Sequence, residues 1–150
     1  MKPTYSVAEL VPHGGKMSLL DDIVDYGEDW FHAEVHITPE SMFADSNGVP
    51  AWIGLEYMAQ AISAWAGLQQ RQQGGIPKIG LLLGSRKYSS STDYFALGQI
   101  LSIKVRLEML GVNGLNVFNC DLQGEGVTAS AIVNVFQPDD AEKFLKDAVS

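Results

Sequence analysis

Pro50-Ala51-Trp52-Ile53-Gly54-Leu55-Glu56-Tyr57-Met58-Ala59-Gln60-Ala61-Ile62-Ser63-Ala64-Trp65-Ala66-Gly67-Leu68 is the stretch on which the fold turns. From Ala51 to Gln73 the chain is too long for one strand and rich in Ala, Leu, Met and Gln, which favour helix. It is apolar almost all round as far as Leu68, whereas a surface helix shows a single apolar stripe, so the spacing predicts a helix buried on most faces. Pro50 suits a first turn, and Gly74-Gly75 supplies the preferred stop.

The segments on either side read as strands. Leu19 to Val24 opens one, Asp25 to Asp29 with Gly27 reads as a hairpin turn, and Trp30 to Ile37 alternates as a second strand. Thr38 to Pro50 reads as loop. Beyond the helix come Ile79–Tyr88, Gln99–Leu110, Leu115–Gln123 and Val127–Phe136, with turns at Gly111–Gly114 and Gly124–Gly126. Leu101, Ile103, Val105, Leu107 and Met109 alternate with Ser102, Lys104, Arg106 and Glu108, the pattern of a sheet with one wet face. The tail from Asp139 to Ser150 reads as a loose helix. Two strands, a long buried helix and an antiparallel meander predict an α+β domain, with a sheet wrapped on one central helix.

The 150 residues fit a single domain, 1–150, and 46% hydrophobic content is enough for a real core. Ten Lys and Arg against 18 Asp and Glu give a formal charge of -8, which opposes nonspecific attraction to nucleic acid or anionic lipid. Neither nucleic acid nor membrane is an expected partner. Cys120 is the one cysteine, so no internal disulfide forms, which suits a reducing cytoplasm. Met1 to Leu10 lacks a secretory apolar region and no long uninterrupted apolar run follows, which predicts a soluble, unprocessed chain.

Chemistry has few places to sit. Glu56, Gln60 and Ser63 fall at i, i+4 and i+7, on one face of an otherwise apolar helix. A carboxyl group in such surroundings loses water, its pKa rises, and it becomes a general acid near neutral pH; the other reading is a structural pairing or a subunit boundary. His13, between Pro12 and Gly14-Gly15, is placed by a short loop that either brings its imidazole to a site or merely anchors the turn. His32 and His36 lie four apart on a strand, on the same side but too far apart to chelate together, so both read as sheet-surface residues and no metal is expected. Trp52, Tyr57, Met58 and Trp65 read as core or dimer contacts. Gly74-Gly75-Ile76-Pro77 lacks the lysine and hydroxyl of a phosphate-cradling loop, so no nucleotide is expected. Arg86-Lys87, with Lys78 and Arg71, reads either as a local basic patch or as scattered solvated charges.

Leu10-Val11-Pro12-His13, Met17, Leu19-Leu20-Asp21 and the helix motif Gly54-Leu55-Glu56-Tyr57-Met58-Ala59-Gln60 resemble the hotdog-fold 3-hydroxyacyl-acyl-carrier-protein dehydratases of fatty acid synthesis. Gly98-Gln99 falls where those enzymes have a Pro-Gly-Asp turn. The Pro-His-x-Gly-x-Met loop and the run from Pro50 to Gln60 are similar, more closely, to the dehydratase-like branch of aryl-polyene and related type II pathways. One departure stands out. The fatty acid enzymes hold their catalytic histidine in a Gly-His-Phe-Pro-Gly segment before the helix, where this chain has Phe43-Ala44-Asp45-Ser46-Asn47-Gly48-Val49-Pro50. Glu56 carries over directly, and His13, the one histidine in a matching motif loop, is the candidate substitute base.

The resemblance implies syn elimination of water from a 3-hydroxyacyl thioester on acyl carrier protein or CoA, with no metal or redox cofactor. His13 would remove the C2 proton and Glu56 would protonate the departing hydroxyl. Free N–H groups around Pro50, Ala51 and Trp52 would receive the thioester oxygen, and Gln60 joins them as an expected substrate-binding residue. Arg86 and Lys87 would dock the carrier. The same fold also carries thioesterases, and the missing histidine fits a non-catalytic subunit that supports an active partner. A homodimer or a heterodimer with another hotdog subunit is expected in either case.

Overall fold

The computed structural model describes residues 19–72, 82–110 and 115–136. The strands are β1 (Asp22–Tyr26), β2 (Trp30–His36), β3 (Val49–Pro50), β4 (Leu82–Ser90), β5 (Tyr94–Phe95), β6 (Ile100–Leu110), β7 (Leu115–Gly124) and β8 (Val127–Phe136). A 3-10 turn over Ala51–Ile53 leads into the helix α1, Gly54–Gln72. Six strands form one antiparallel sheet in the order β1-β2-β6-β7-β8-β4, and β3 pairs with β5 apart from it. The sheet packs one face on α1, which is the hotdog arrangement.

The alternation read in β6 decides which face is which. Leu101, Ile103 and Val105 are buried while Lys104, Arg106 and Glu108 are exposed. Register carries this division across the sheet: Val105 lies opposite Phe31 and Cys120, and Ile103 opposite Ala33 and Leu122, all buried. From the helix, Tyr57, Met58, Ala61, Ile62, Ala64, Trp65 and Leu68 complete the core. Trp65 meets Phe118 edge-on at 5.2 Å, and its indole N–H donates to the Glu28 carbonyl at 3.1 Å, so the ring fills the core while its polar edge is satisfied by the β1–β2 turn. Burial pushes the Cys120 thiol up to about 12, as suits an inert core residue with no disulfide.

Several boundaries differ from the sequence expectation. The first strand starts at Asp22 and runs through Asp25 to Tyr26, because β1 carries a bulge between Ile23 and Asp25 that absorbs the acidic residues into the ladder; the turn is correspondingly shorter. The helix does not begin at Ala51: the chain leaves β3 through a tight 3-10 turn first, since Pro50 stands in an extended conformation. Within the expected Thr38–Pro50 loop lie β3 and a bridge between Asp45 and Gly48, whose mutual backbone hydrogen bonds of 2.9 and 3.0 Å close a turn that needs Gly48 at φ 111. The two-residue strand β5 gives no sequence signal. The last hairpin is tight, with Gly124 paired to Val127. The helix stop read at Gly74-Gly75, the turn at Gly111–Gly114 and the tail Asp139–Ser150 lie outside the described residues. No helix among the described residues is long and apolar enough to cross a membrane.

Candidate active site

The start of α1 is fixed from three sides. The Ala51 N–H donates to the Asp93 carbonyl at 2.8 Å, and the Ala51 carbonyl accepts from the Tyr88 hydroxyl of β4. Burial pushes that hydroxyl up to about 12, so it remains a donor across the physiological range. Gly54 lets Tyr88 come this close: an added Cβ would overlap the Tyr88 hydroxyl and lie 3.1 Å from Phe95 Cζ. Tyr88, Asp93 and Phe95 were not singled out in the sequence. The available signal was Gly54 itself, since a glycine inside a helical motif marks a close approach by another group.

Glu56 stands in the first turn of α1 and is exposed, against the expectation of a desolvated carboxyl. The physical reason is that the described strands cover only part of the helix. Trp52, Glu56, Ala59 and Ser63, at spacings of four, three and four, form a single stripe on which every residue is exposed or half-buried. Gln60 is buried, 3% exposed, and lies beside that stripe. Its side-chain oxygen accepts the Leu19 N–H at 2.8 Å and its amide nitrogen reaches Glu56 Oε1 at 3.4 Å. Gln60 therefore joins the chain entering β1 to the carboxylate and limits how Glu56 points.

Trp52 is 66% exposed and meets Phe43 at 6.0 Å between ring centroids, so it is no core residue in this chain, unlike Tyr57, Met58 and Trp65. Phe43 itself is held at φ 70, in the left-handed region that side chains other than glycine rarely adopt. Together they make an apolar lip beside the open stripe. The free amides expected over Pro50–Trp52 are fewer than the sequence suggested: proline has no N–H, and that of Ala51 is taken by Asp93. Trp52 is the remaining residue of the trio with an N–H to offer.

His13 lies outside the described residues, as do Lys78 and the side chains of Arg71 and Arg86. Lys87 is exposed on the wet face, in a groove of about 580 Å³ that Lys104, Arg106, Glu108 and Asp121 also line. That face is across the sheet from α1. Lys104 and Arg106 were read only as the polar half of an alternating strand, yet they are the described cations nearest to Lys87 in kind and place. His32 and His36 both stand on the same side of β2, as expected, half-buried. Burial and the Lys104 ammonium, which is its register partner, hold His32 below the usual histidine range.

Comparison with known proteins places the chain. Among solved structures it is similar to the dehydratase heterocomplex ApeI:P from Xenorhabdus doucetiae, at 22% identity and TM-score 0.82 over 95% of this chain and 97% of that one. It is also similar to Cj0977, a sigma28-regulated virulence protein from Campylobacter jejuni, at 14% identity and TM-score 0.66 over 89% and 96% of the two chains. A thioesterase, HI1161 from Haemophilus influenzae, matches at 14% identity and TM-score 0.51 over 79% and 80%. At these identities the likeness establishes the hotdog fold. No curated protein matches the sequence. A family model described as ApeP dehydratase, of the ApeP-like family, matches residues 5–146. That span takes in the His13 loop, the Glu56 helix and every strand described above, and the chain belongs to the ApeP-like dehydratase family.

Proposed function

We propose that the protein eliminates water from a 3-hydroxyacyl thioester carried on acyl carrier protein, giving the trans-2-enoyl thioester, and that it does so with a second hotdog subunit seated on its open helix stripe. The observation that carries the reading is the family match, which includes both motif segments that hold ionisable side chains suited to the chemistry. Glu56, on a rigid helix and steered by Gln60, protonates the departing hydroxyl; His13 removes the C2 proton. The Trp52 N–H, at the positive end of α1, faces the charge that gathers on the thioester oxygen. Trp52 and Phe43 line the entry for the acyl chain, with Pro50 and Ala51 forming the floor at the helix start.

The partner is part of the reading because Glu56 is exposed in one chain. A carboxyl group stays protonated near neutral pH when water is removed from it, and a subunit laid on the Trp52–Ser63 stripe would remove it. The sheet offers the matching edge: β4 pairs with β8 on one side and, among the described residues, with nothing on the other. A nine-residue strand with one open edge is a template for another strand, and continuation across β4 would bring two helices together near a twofold axis. The solved dehydratase whose fold this chain shares is itself a heterocomplex. Sedimentation at micromolar concentration should give a dimer of the chain, or a heterodimer once its hotdog partner is added. A stable monomer in both experiments would sink the assembly.

The decisive assay incubates carrier-bound 3-hydroxyacyl thioester with the chain alone and with the subunit that co-purifies with it from the native host. An enoyl thioester supports dehydration. Free acid in its place identifies a thioesterase, the second activity found among structures of this fold. Activity that resides wholly in the partner, unaffected by Glu56 of this chain, identifies a supporting subunit.

Carrier docking is assigned to Arg86 and Lys87, because Lys87 is exposed beside Lys104 and Arg106 on a chain that is otherwise acidic. Reversing both Arg86 and Lys87 to Glu should raise the KM for carrier-bound substrate several-fold and leave that of a small thioester mimic nearly unchanged. Equal effects on the two substrates would refute the docking role.

A further inference from the structure

The hairpin β1–β2 gathers a set of side chains that the dehydration chemistry does not use. Asp22 of β1 is the register partner of Glu34 of β2, and His36 lies two residues beyond Glu34 on the same face. His36 Nε2 is 3.3 Å from Asp22 Oδ2 and 3.7 Å from Glu34 Oε1. One ligand atom from each of the three residues lies within 4.8 Å of the others. The backbone under the cluster is pinned twice by a fourth residue: the Asp21 N–H donates to the Glu34 carbonyl at 2.9 Å, and Asp21 Oδ2 accepts the His36 N–H at 2.6 Å.

Nε2 of His36 is shielded from solvent yet makes no hydrogen bond, although the ring as a whole is partly exposed. Nε2 thus faces two carboxylates, a position that takes either a proton, as an ion pair, or in its place a metal ion held between the three groups. At metal–ligand distances of about 2.1 Å, the ligand atoms of a tetrahedral site lie about 3.4 Å apart. The 3.3 and 3.7 Å separations bracket that edge. We infer that Asp22, Glu34 and His36 form a binding site for a borderline divalent cation of the zinc type, with water completing the coordination. Two carboxylates neutralise the charge of the ion, and an imidazole with two carboxylates selects first-row metals over magnesium or calcium, which favour all-oxygen sets. Bound there, the ion ties the edge strand β1 to β2. His36 meets Asp22 of the neighbouring strand through a register that the sequence does not display, whereas His32, on its own strand, contributes nothing to the cluster.

The test uses the untagged full chain, stripped with chelator and titrated with Co2+ and then Zn2+. The expected result is one saturable equivalent per chain, a visible Co2+ spectrum of a nitrogen–oxygen site that Zn2+ displaces, and weaker binding as the pH is lowered, because protons compete for the imidazole. His36→Ala and Asp22→Asn should each weaken binding at least tenfold. Asp22 is exposed, so the Asn variant keeps the fold even if the histidine variant does not. His32→Ala and His13→Ala should bind as the wild type does. No saturable binding, binding that survives Asp22→Asn and His36→Ala, or binding lost in His13→Ala would each overturn the assignment.

Discussion

Glu56→Gln is expected to lower the dehydration rate at least about 100-fold, the contribution usual for a positioned general acid, while thermal stability and subunit assembly stay as they are. The amide keeps the shape and the contact with Gln60 at 3.4 Å but has no proton to deliver to a leaving hydroxyl. Because the side chain is exposed in the protomer, the substitution removes no core packing, and loss of activity cannot be charged to unfolding. The loss should appear in kcat and kcat/KM alike, since the proton is needed only in the transition state. A rate within a few-fold of wild type would show that the acid is another group. Gln60→Ala is the informative companion. It leaves the carboxyl in place but removes the tie between Leu19 and Glu56, so misorientation would lower kcat without changing the chemistry available.

The fold was largely legible because its signals are strong and local. The alternation from Leu101 to Glu108 assigns both faces of the sheet, and the apolar run through Leu68 assigns the helix to its core. What the sequence misjudged about Glu56 has a single cause: an apolar residue reads alike whether its own chain or another covers it. Trp52, Leu55 and Ala59 continue the hydrophobic pattern of Tyr57 and Met58, yet the first three are left exposed or half-buried while the last two are in the core. The Tyr88 hydroxyl on the Ala51 carbonyl and the Asp93 carbonyl on the Ala51 N–H were illegible for another reason. They join residues 37 and 42 positions apart, one from strand β4 and one from the loop after it, and neither residue belongs to a motif.

The base is where the resemblance and the residues diverge most, and His13→Ala separates the possibilities. The segment before the helix, Phe43 to Pro50, has no histidine, and its structure is committed to other work: Gly48 and Asp45 close a turn, Val49 pairs with Phe95, and Phe43 packs on Trp52. His13 sits between Pro12 and two glycines, inside the span of the family match, and has no competing role in the sequence. If it removes the C2 proton, its loss should cost at least about 100-fold in rate. The acidic limb of the pH profile, which protonation of an imidazole base produces, should disappear with it. Folding should be unaffected, and Glu56→Gln combined with His13→Ala should be little worse than either alone, since acid and base act on one elimination. A different pattern points elsewhere: if Glu56→Gln is inactive while His13→Ala keeps nearly full rate and the same pH profile, the proton leaves to a base outside this loop. A wild-type chain that is inert until a second hotdog subunit is added, together with a silent His13→Ala, would assign that base to the partner, with Glu56 facing it across the open stripe of α1.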